Sequence, residues 1–114
     1  MCRKCGHIGQ LWQWWRIVFC RACLCFSVQR LLPAAERQKE WQRALTNLRK
    51  ACEMAAARRV RLAIEPLNRF ETDFINTCEQ GLKMLKDVGS PALKLHLDTF
   101  HMNMEEFDMP SAIR

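Results

Sequence analysis

The residues best suited to chemistry follow two short apolar runs of the sequence. Glu65 comes directly after the run in "VRLAIEPLN", and Asp98 lies near the end of "ALKLHLDTF". Glu71 and His101 come a few residues later, in polar segments. Two carboxylates brought together would repel each other unless a cation or a proton lay between them. Carboxylate oxygens suit Mg²⁺ or Mn²⁺, and an added imidazole favours Mn²⁺.

Hydrophobic periodicity predicts the elements that would position these side chains. Apolar spacings of three and four predict an amphipathic helix from Ala34 to about Arg59 and a second helix over residues 73–88. The run from Val60 to Ile64 predicts a strand between them, and residues 92–100 predict the next strand. This alternation predicts an α/β fold with parallel strands, whose carboxyl ends are where ligands gather.

The remaining segments of this region are predicted to be irregular. The stretch "NRFETDF" and the stretch "HMNMEEFDMP", residues 101–110, are both polar enough to predict loops. Ser111 then predicts the cap of a last helix.

The strand-end acids also have a purely structural interpretation, because such an acid can cap the next helix or pair with an arginine such as Arg69. His96 alternates with apolar neighbours and is predicted to be a core histidine without a functional role.

Composition divides the chain near Pro33, into a leader (residues 1–33) rich in Cys, Trp and Arg and a regular domain (residues 34–114). The formal charge is +6, but residues 1–30 hold five bases and no acid, whereas the rest holds 13 bases and 12 acids. The regular domain therefore offers no basic face for nucleic acid. No stretch is long and apolar enough to predict a membrane span. The odd number of cysteines, seven, favours free thiols in a reducing cytoplasm.

The cysteines of the leader support a hypothesis of another class. Cys2, Cys5, Cys20 and Cys23 follow the pattern C-x2-C-x14-C-x2-C, which is close to the spacing of a zinc ribbon. The bulky stretch "LWQWWRIVF" between the pairs lacks the turn residues that a ribbon needs. A zinc-binding interaction module fused to an inactive barrel remnant is thus the non-enzyme alternative.

Two long motifs resemble one enzyme family. "AIEPLNRFETDFINT" and "LHLDTFHMNMEE" are similar to the D-tagatose and D-psicose 3-epimerases, the ketose 3-epimerase group of the sugar phosphate isomerase/epimerase superfamily, which is related to xylose isomerase. The resemblance runs from about residue 34 to residue 114. It implies a fragment of a (β/α)₈ TIM barrel, here two parallel strands with flanking helices.

The resemblance also implies roles for individual residues. Glu65 and Asp98 correspond to metal ligands, with Glu65 also serving as one of two catalytic proton-transfer carboxylates, and Glu71 and His101 correspond to substrate-binding residues. The implied cofactor is Mn²⁺, with Mg²⁺ or Co²⁺ as alternatives, and the implied reaction is C3 epimerisation of a ketose through a metal-stabilised enediolate. An aldose–ketose or sugar-phosphate isomerase of the same superfamily is the enzymatic alternative.

The resemblance implies two further metal ligands, a His and a Glu, which we expect on later strands than the two predicted here. Two strands cannot close an eight-stranded barrel, which takes about 250 residues. We therefore expect the isolated chain to be an inactive part of an epimerase. Its expected ligand is a ketose or ketose phosphate, without nucleic acid or membrane, and its exposed strand edges predict self-association into a homo-oligomer.

Overall fold

The computed structural model of the chain describes residues 17–19 and 33–114. Its three strands are β1 (Ile17–Phe19), β2 (Arg61–Ile64) and β3 (Leu93–Leu95). Its helices are α1 (Ala34–Ala57), α2 (Cys78–Val88), α3 (Thr99–Glu105) and α4 (Met109–Ile113). The strands form one sheet in the order β1-β2-β3, and both neighbouring pairs are parallel. The predicted alternation of helices with parallel strands is confirmed.

The core lies between the sheet and the two longer helices. Helix α1 buries the face that its apolar spacing predicts, including Leu45, Leu48 and Cys52. Ile64 of β2, Leu93 of β3 and a set of α2 side chains complete the cluster. The other buried members are Ala44, Ile75, Met84, Val88 and Ala92. The burial of this continuous apolar surface is what holds the strands and their carboxyl ends in place.

Polar contacts join α1 to α2 at the edge of this core. The Trp41 indole donates a hydrogen bond to Asp87 Oδ2 (2.9 Å), and Lys83 Nζ lies 2.6 Å from the same oxygen. The Lys83 ammonium also lies 4.5 Å from the centroid of the Trp41 ring. The hydrogen bond from Lys83, followed by that from Trp41, holds the pKa of Asp87 below its ordinary value. The contacts of Trp41 with Asp87 and Lys83 therefore link α1 to α2 at this edge.

Helix α2 begins at Cys78, five residues later than the sequence predicts. Thr77 and Gln80 form a capping box, in which the Thr77 side chain accepts from the Gln80 amide and the Gln80 side chain accepts from the Thr77 amide. The preceding residue, Asn76, uses its side-chain amide to bond the carbonyls of Leu67 and Thr72. Residues 73–77 are therefore held as a loop rather than as a first helical turn.

The second predicted strand is also shorter than expected. Strand β3 ends at Leu95, and Asp98 caps a helix that begins at Thr99, so the prediction of a strand over 92–100 is wrong at its carboxyl end. The predicted loop over 101–110 is mostly helical, because it contains most of α3 and the start of α4. The prediction of Ser111 as a cap is also wrong: Asp108 precedes α4, and the Ser111 hydroxyl donates to the Asp108 carboxylate.

Strand β1 lies in the leader, where the sequence predicts no element. Its register pairs Ile17 with Arg61 and Phe19 with Ala63, which extends the sheet beyond the two predicted strands. Three residues are too few to show a periodicity, so no pattern reveals this strand. Each helix in the part of the chain that the structure describes is too short or too polar to span a membrane.

Candidate metal and substrate site

Glu65 and Asp98 lie at the same end of the sheet. Strands β2 and β3 are parallel neighbours, and Ile64 pairs with Leu95 at the point where both strands finish. Glu65 follows β2 directly, and Asp98 follows β3 after two further residues. One potential ligand atom from each of Glu65, Asp98 and His101 lies within 4.8 Å of the others. The convergence expected from the strand order is therefore present, and His101 joins it.

Asp98 has a structural contact as well as a place in this cluster. Its Oδ1 accepts a hydrogen bond from the Phe100 amide (2.9 Å), which caps the N-terminus of α3. A carboxylate carries lone pairs on both oxygens, so a cap that uses Oδ1 is compatible with ligation of a cation. The cap also fixes the direction of the Asp98 side chain relative to Glu65.

Glu65 is largely withdrawn from solvent. Its side chain is 13% exposed, and its Oε1 lies 3.7 Å from His96 Nε2. The prediction that His96 is a core histidine is only partly right, because its side chain is 39% exposed and faces the Glu65 carboxylate. A partly buried carboxylate close to a second carboxylate is costly in free energy unless a positive group lies nearby.

His101 is almost completely buried, with a side chain that is 2% exposed. Its Nδ1 atom lies 3.2 Å from the backbone nitrogen of Asn68 and 2.9 Å from the Asn68 side-chain nitrogen. The same Asn68 amide donates to Glu71 Oε1 (3.3 Å), and Glu71 Oε1 lies 3.9 Å from His101 Nδ1. The two residues expected to bind substrate are thus brought together, with Asn68 between them.

An arginine clamp joins the loop after β2 to helix α3. Glu105 Oε1 accepts from the backbone amide of Arg69 (2.6 Å) and from its Nε (3.0 Å), and Arg69 also donates to the Met104 carbonyl. The Glu105 side chain is only 6% exposed, whereas that of Arg69 is 63% exposed. Arg69 therefore pairs with Glu105 and not with a strand-end acid.

The pKa shifts of Glu105 and Arg69 show that their pairing outweighs the burial of the Glu105 carboxylate. Burial by itself raises the pKa of Glu105, but the hydrogen bonds from the Arg69 side chain and backbone, together with its charge, outweigh burial and lower the pKa overall. The hydrogen bond to Glu105, followed by its charge, raises the pKa of the Arg69 guanidinium. The pair is therefore ionised at neutral pH, and it holds the loop that carries Asn68 and Glu71 against α3.

The donor set of the cluster fits a hard divalent cation. Two carboxylates provide the oxygen ligands that Mg²⁺ and Mn²⁺ prefer, and their mutual repulsion supplies an electrostatic reason for a cation to bind. The ligands come from the ends of two adjacent strands, so the core of the domain fixes their separation. Glu65 and Asp98 are the residues that would hold such an ion.

Comparison with known proteins identifies the wider family. The sequence matches the family described as "Xylose isomerase-like TIM barrel" over residues 5–114. The chain belongs to the xylose isomerase-like TIM barrel family. The family match begins within the leader, whereas the resemblance read from the sequence begins only at about residue 34.

Several proteins that resemble the chain are ketose 3-epimerases. L-ribulose 3-epimerase from Mesorhizobium japonicum is 48% identical over 80 residues, which are 70% of this chain and 27% of that protein. D-psicose 3-epimerase from Enterocloster bolteae is 43% identical over 79 residues, which are 69% of this chain and 26% of that protein. The chain thus spans about a quarter of the length of these relatives.

A solved structure of this group has the same fold over the matched region. The structure of D-psicose 3-epimerase with D-tagatose from Clostridium cellulolyticum H10 superposes with a TM-score of 0.69 at 35% identity. The matched region covers 77% of this chain and 29% of the chain in that structure. The chain is therefore a part of a TIM-barrel fold, as the sequence predicts.

Sequence reasoning did not single out Asn68 or Glu105. The four leader cysteines proposed as zinc ligands, Cys2, Cys5, Cys20 and Cys23, lie outside the described residues, and that hypothesis stays a prediction. Asn68 lies within the motif "EPLNRFE" between two site residues, and this position is the signal that the sequence offers, whereas its burial and its contacts are seen in the structure. Glu105 lacked any such signal, because its partner is 36 residues away.

Proposed function

We propose that this chain carries part of the active site of a metal-dependent ketose 3-epimerase. The observation that carries the proposal is the convergence of Glu65, Asp98 and His101 at the carboxyl ends of adjacent parallel strands. The similarity to ketose 3-epimerases supports a carbohydrate epimerase over the other activities of the fold. Because the chain spans about a quarter of those relatives, the complete activity needs residues beyond the ones described.

Glu65 is the residue to which we assign proton transfer. Epimerisation next to a ketone begins with loss of a proton from carbon, and a carboxylate placed beside the substrate can take that proton. Glu65 can act on one face of the sugar only, so inversion needs a second proton carrier on the opposite face. Its two oxygens allow the same side chain to hold a cation and to take the proton.

A divalent cation held by Glu65 and Asp98 would supply a Lewis acid for the substrate ketone. Mn²⁺ is the ion we propose, with Mg²⁺ or Co²⁺ as alternatives, because the resemblance to ketose 3-epimerases implies Mn²⁺ and the two carboxylates supply oxygen ligands that suit these ions. Asp98 contributes rigidity, since its cap on α3 prevents the carboxylate from turning away from Glu65.

Glu71 and His101 are the residues to which we assign substrate binding. The Glu71 carboxylate accepts hydrogen bonds from sugar hydroxyls, and the buried imidazole of His101 fixes the orientation of the bound sugar. The ligand is a ketose or a ketose phosphate, in a protein that we place in the cytoplasm. Strands β1 and β3 form the two edges of the described sheet, which supports self-association or association with further barrel strands.

A segment exchange tests this proposal. The 80-residue segment of the Mesorhizobium japonicum L-ribulose 3-epimerase that aligns with this chain is replaced by the chain's own residues, and the hybrid is assayed with Mn²⁺ on L-ribulose, D-psicose, D-fructose and D-tagatose. We expect turnover by the hybrid and not by the isolated chain. In the hybrid, Glu65→Gln should lower kcat by about 10²- to 10⁴-fold, whereas Glu79→Gln, an exposed residue of α2, should not.

Two results would count against the proposal. A folded, Mn²⁺-loaded hybrid that turns over none of these ketoses would show that the segment does not carry an epimerase site. A hybrid that keeps full activity after Glu65→Gln would show that the proton is transferred by another group.

A further inference from the structure

The side-chain amide of Asn68 is held in one orientation. Its Oδ1 accepts a hydrogen bond from the Phe70 amide (3.0 Å), and its Nδ2 donates to Glu71 Oε1 (3.3 Å). An exchange of oxygen and nitrogen would break both bonds, because it would set a donor against an N–H and an acceptor against a carboxylate. Asn68 is itself only 3% exposed, so water does not compete for these contacts. The Nδ2 group therefore faces His101 Nδ1 as a donor, at 2.9 Å.

The backbone of Asn68 makes a second contact with the same ring nitrogen. The Asn68 amide lies 3.2 Å from His101 Nδ1, and a backbone N–H can only donate. Two N–H groups thus point at Nδ1, which can satisfy them only as an unprotonated acceptor. In a neutral imidazole with an unprotonated Nδ1, the proton is on Nε2.

This pattern is the reverse of the one found around a metal-ligating histidine. A ligating histidine donates its second ring N–H to a carboxylate, a carbonyl or water. His101 instead receives N–H groups at Nδ1, so its Nε2 carries a proton and is unavailable to a cation. Although His101 lies in the cluster with Glu65 and Asp98, an Nε2–H group there can serve only as a hydrogen-bond donor.

We propose that Asn68 is a positioning residue that fixes His101 in the Nε2–H tautomer and holds the Glu71 carboxylate beside it. The pair then presents one donor and one acceptor to neighbouring oxygens of a polyhydroxylated substrate. The inference rests on the proposed function only where it names a sugar as that substrate. The tautomer and the hydrogen bonds are properties of the chain itself.

Nitrogen NMR of the ¹⁵N-labelled chain tests the tautomer directly. Long-range ¹H–¹⁵N correlation spectra at neutral pH show which ring nitrogen carries the proton, and His101→Gln and His96→Gln variants assign the signals. We expect the His101 ring to show a protonated Nε2 and an unprotonated Nδ1. A ring protonated at Nδ1, alone or together with Nε2, would overturn the proposal.

Substitution of Asn68 tests the contribution of its side chain. Asn68→Asp keeps the size and the acceptor for Phe70, but it replaces the Nδ2 donor by an oxygen. We expect the ring proton to move toward Nδ1 in this variant and not in Asn103→Asp, a matched change at an exposed site on α3. An unchanged His101 spectrum in a folded Asn68→Asp chain would overturn the role of the side chain. If that variant does not fold, the wild-type spectrum alone decides between the tautomers.

Activity in the hybrid enzyme separates this inference from the proposed function. Asn68→Asp should lower kcat/KM for a ketose by roughly 10-fold or more, whereas Asn103→Asp should leave it unchanged. An inactive hybrid whose His101 still shows the Nε2–H tautomer would refute the epimerase function and leave the positioning role in place. An active hybrid whose His101 carries its proton on Nδ1 would refute the positioning role and leave the epimerase function in place.

Discussion

Gly81 on α2 is the position where a single added methyl group should disturb the support of the site. A Cβ atom at residue 81 would lie 2.6 Å from Leu95 Cδ1 and 3.3 Å from Pro66 Cγ. Carbon atoms in contact normally lie about 3.5–4.0 Å apart, so Leu95 would have to move by about 1 Å. Pro66 follows Glu65, and Leu95 ends the strand before Asp98, so the strain reaches both site carboxylates.

Two effects of Gly81→Ala oppose each other, and their sizes decide the outcome. Alanine in a helix interior is more stable than glycine by about 1 kcal/mol. Overpacking of a filled contact costs about 1–3 kcal/mol. Because the shortest contact is well inside van der Waals distance, we expect a net loss of about 1 kcal/mol in the free energy of unfolding, from the difference of these two terms.

Urea unfolding followed by circular dichroism measures this change, and a second substitution tests its cause. Leu95→Val removes the Cδ atoms, so Gly81→Ala should become neutral or stabilising in that background, with a coupling energy of about 1–2 kcal/mol between the two sites. A Gly81→Ala chain that is about 1 kcal/mol more stable than wild type, or additive effects of the two changes, would refute the packing argument.

Three further outcomes are expected in other parts of the structure. Thr77→Ala should lower the free energy of unfolding by about 1 kcal/mol, measured by urea unfolding, because it removes the cap of α2; an unchanged midpoint would contradict the assigned helix start. Burial, with a hydrogen bond to Glu106, raises the pKa of the Cys78 thiol to about 11. Peptide mapping should therefore show slow alkylation of Cys78 at about pH 8 and faster alkylation after Glu106→Gln. Rapid alkylation of Cys78 in the folded wild type would contradict its burial. The lowered pKa of Glu105 stabilises the fold at pH values above the ordinary glutamate pKa, and this stabilisation is lost as pH falls through that value and then through the lower pKa of the folded state. Glu105→Gln should therefore flatten the loss of stability below about pH 5, and an equally steep loss in both chains would contradict the Arg69 pairing.

The placement of the two acidic residues could be predicted from the sequence because it depends on simple rules. Short apolar runs separated by amphipathic helices predict parallel strands, and parallel strands place their carboxyl ends together. Glu65 and Asp98 follow such runs, so their convergence needs no knowledge of loop structure. The motifs around them added Glu71 and His101, which the structure also brings together.

The errors in the prediction came from local hydrogen bonds that compete with periodicity. Residues 73–77 continue the apolar spacing of α2, but the Thr77 capping box and the bonds from Asn76 prevent a helical turn. The sequence predicts Asp98 as the end of a strand, with a cap on the next helix as the alternative, and in the structure Asp98 caps α3. In both places the side-chain cap decided the boundary.

The role of Asn68 depends on contacts that no sequence pattern shows. Its partners are a neighbour, Glu71, and a residue 33 positions away, His101. The Arg69–Glu105 clamp brings these segments together, and it too joins residues far apart in the sequence. Such long-range pairs appear only once the loop after β2 and helix α3 are placed relative to each other.

The central claim is that Glu65 and Asp98 together bind a divalent cation. Titration of the ¹⁵N-labelled chain with Mn²⁺ tests it, because the paramagnetic ion broadens the amide signals of nearby residues even when binding is weak. We expect broadening centred on the residues after β2 and β3, lost in Glu65→Gln and in Asp98→Asn, and retained in Glu79→Gln. Broadening centred elsewhere, or unchanged in both site variants, would contradict the claim.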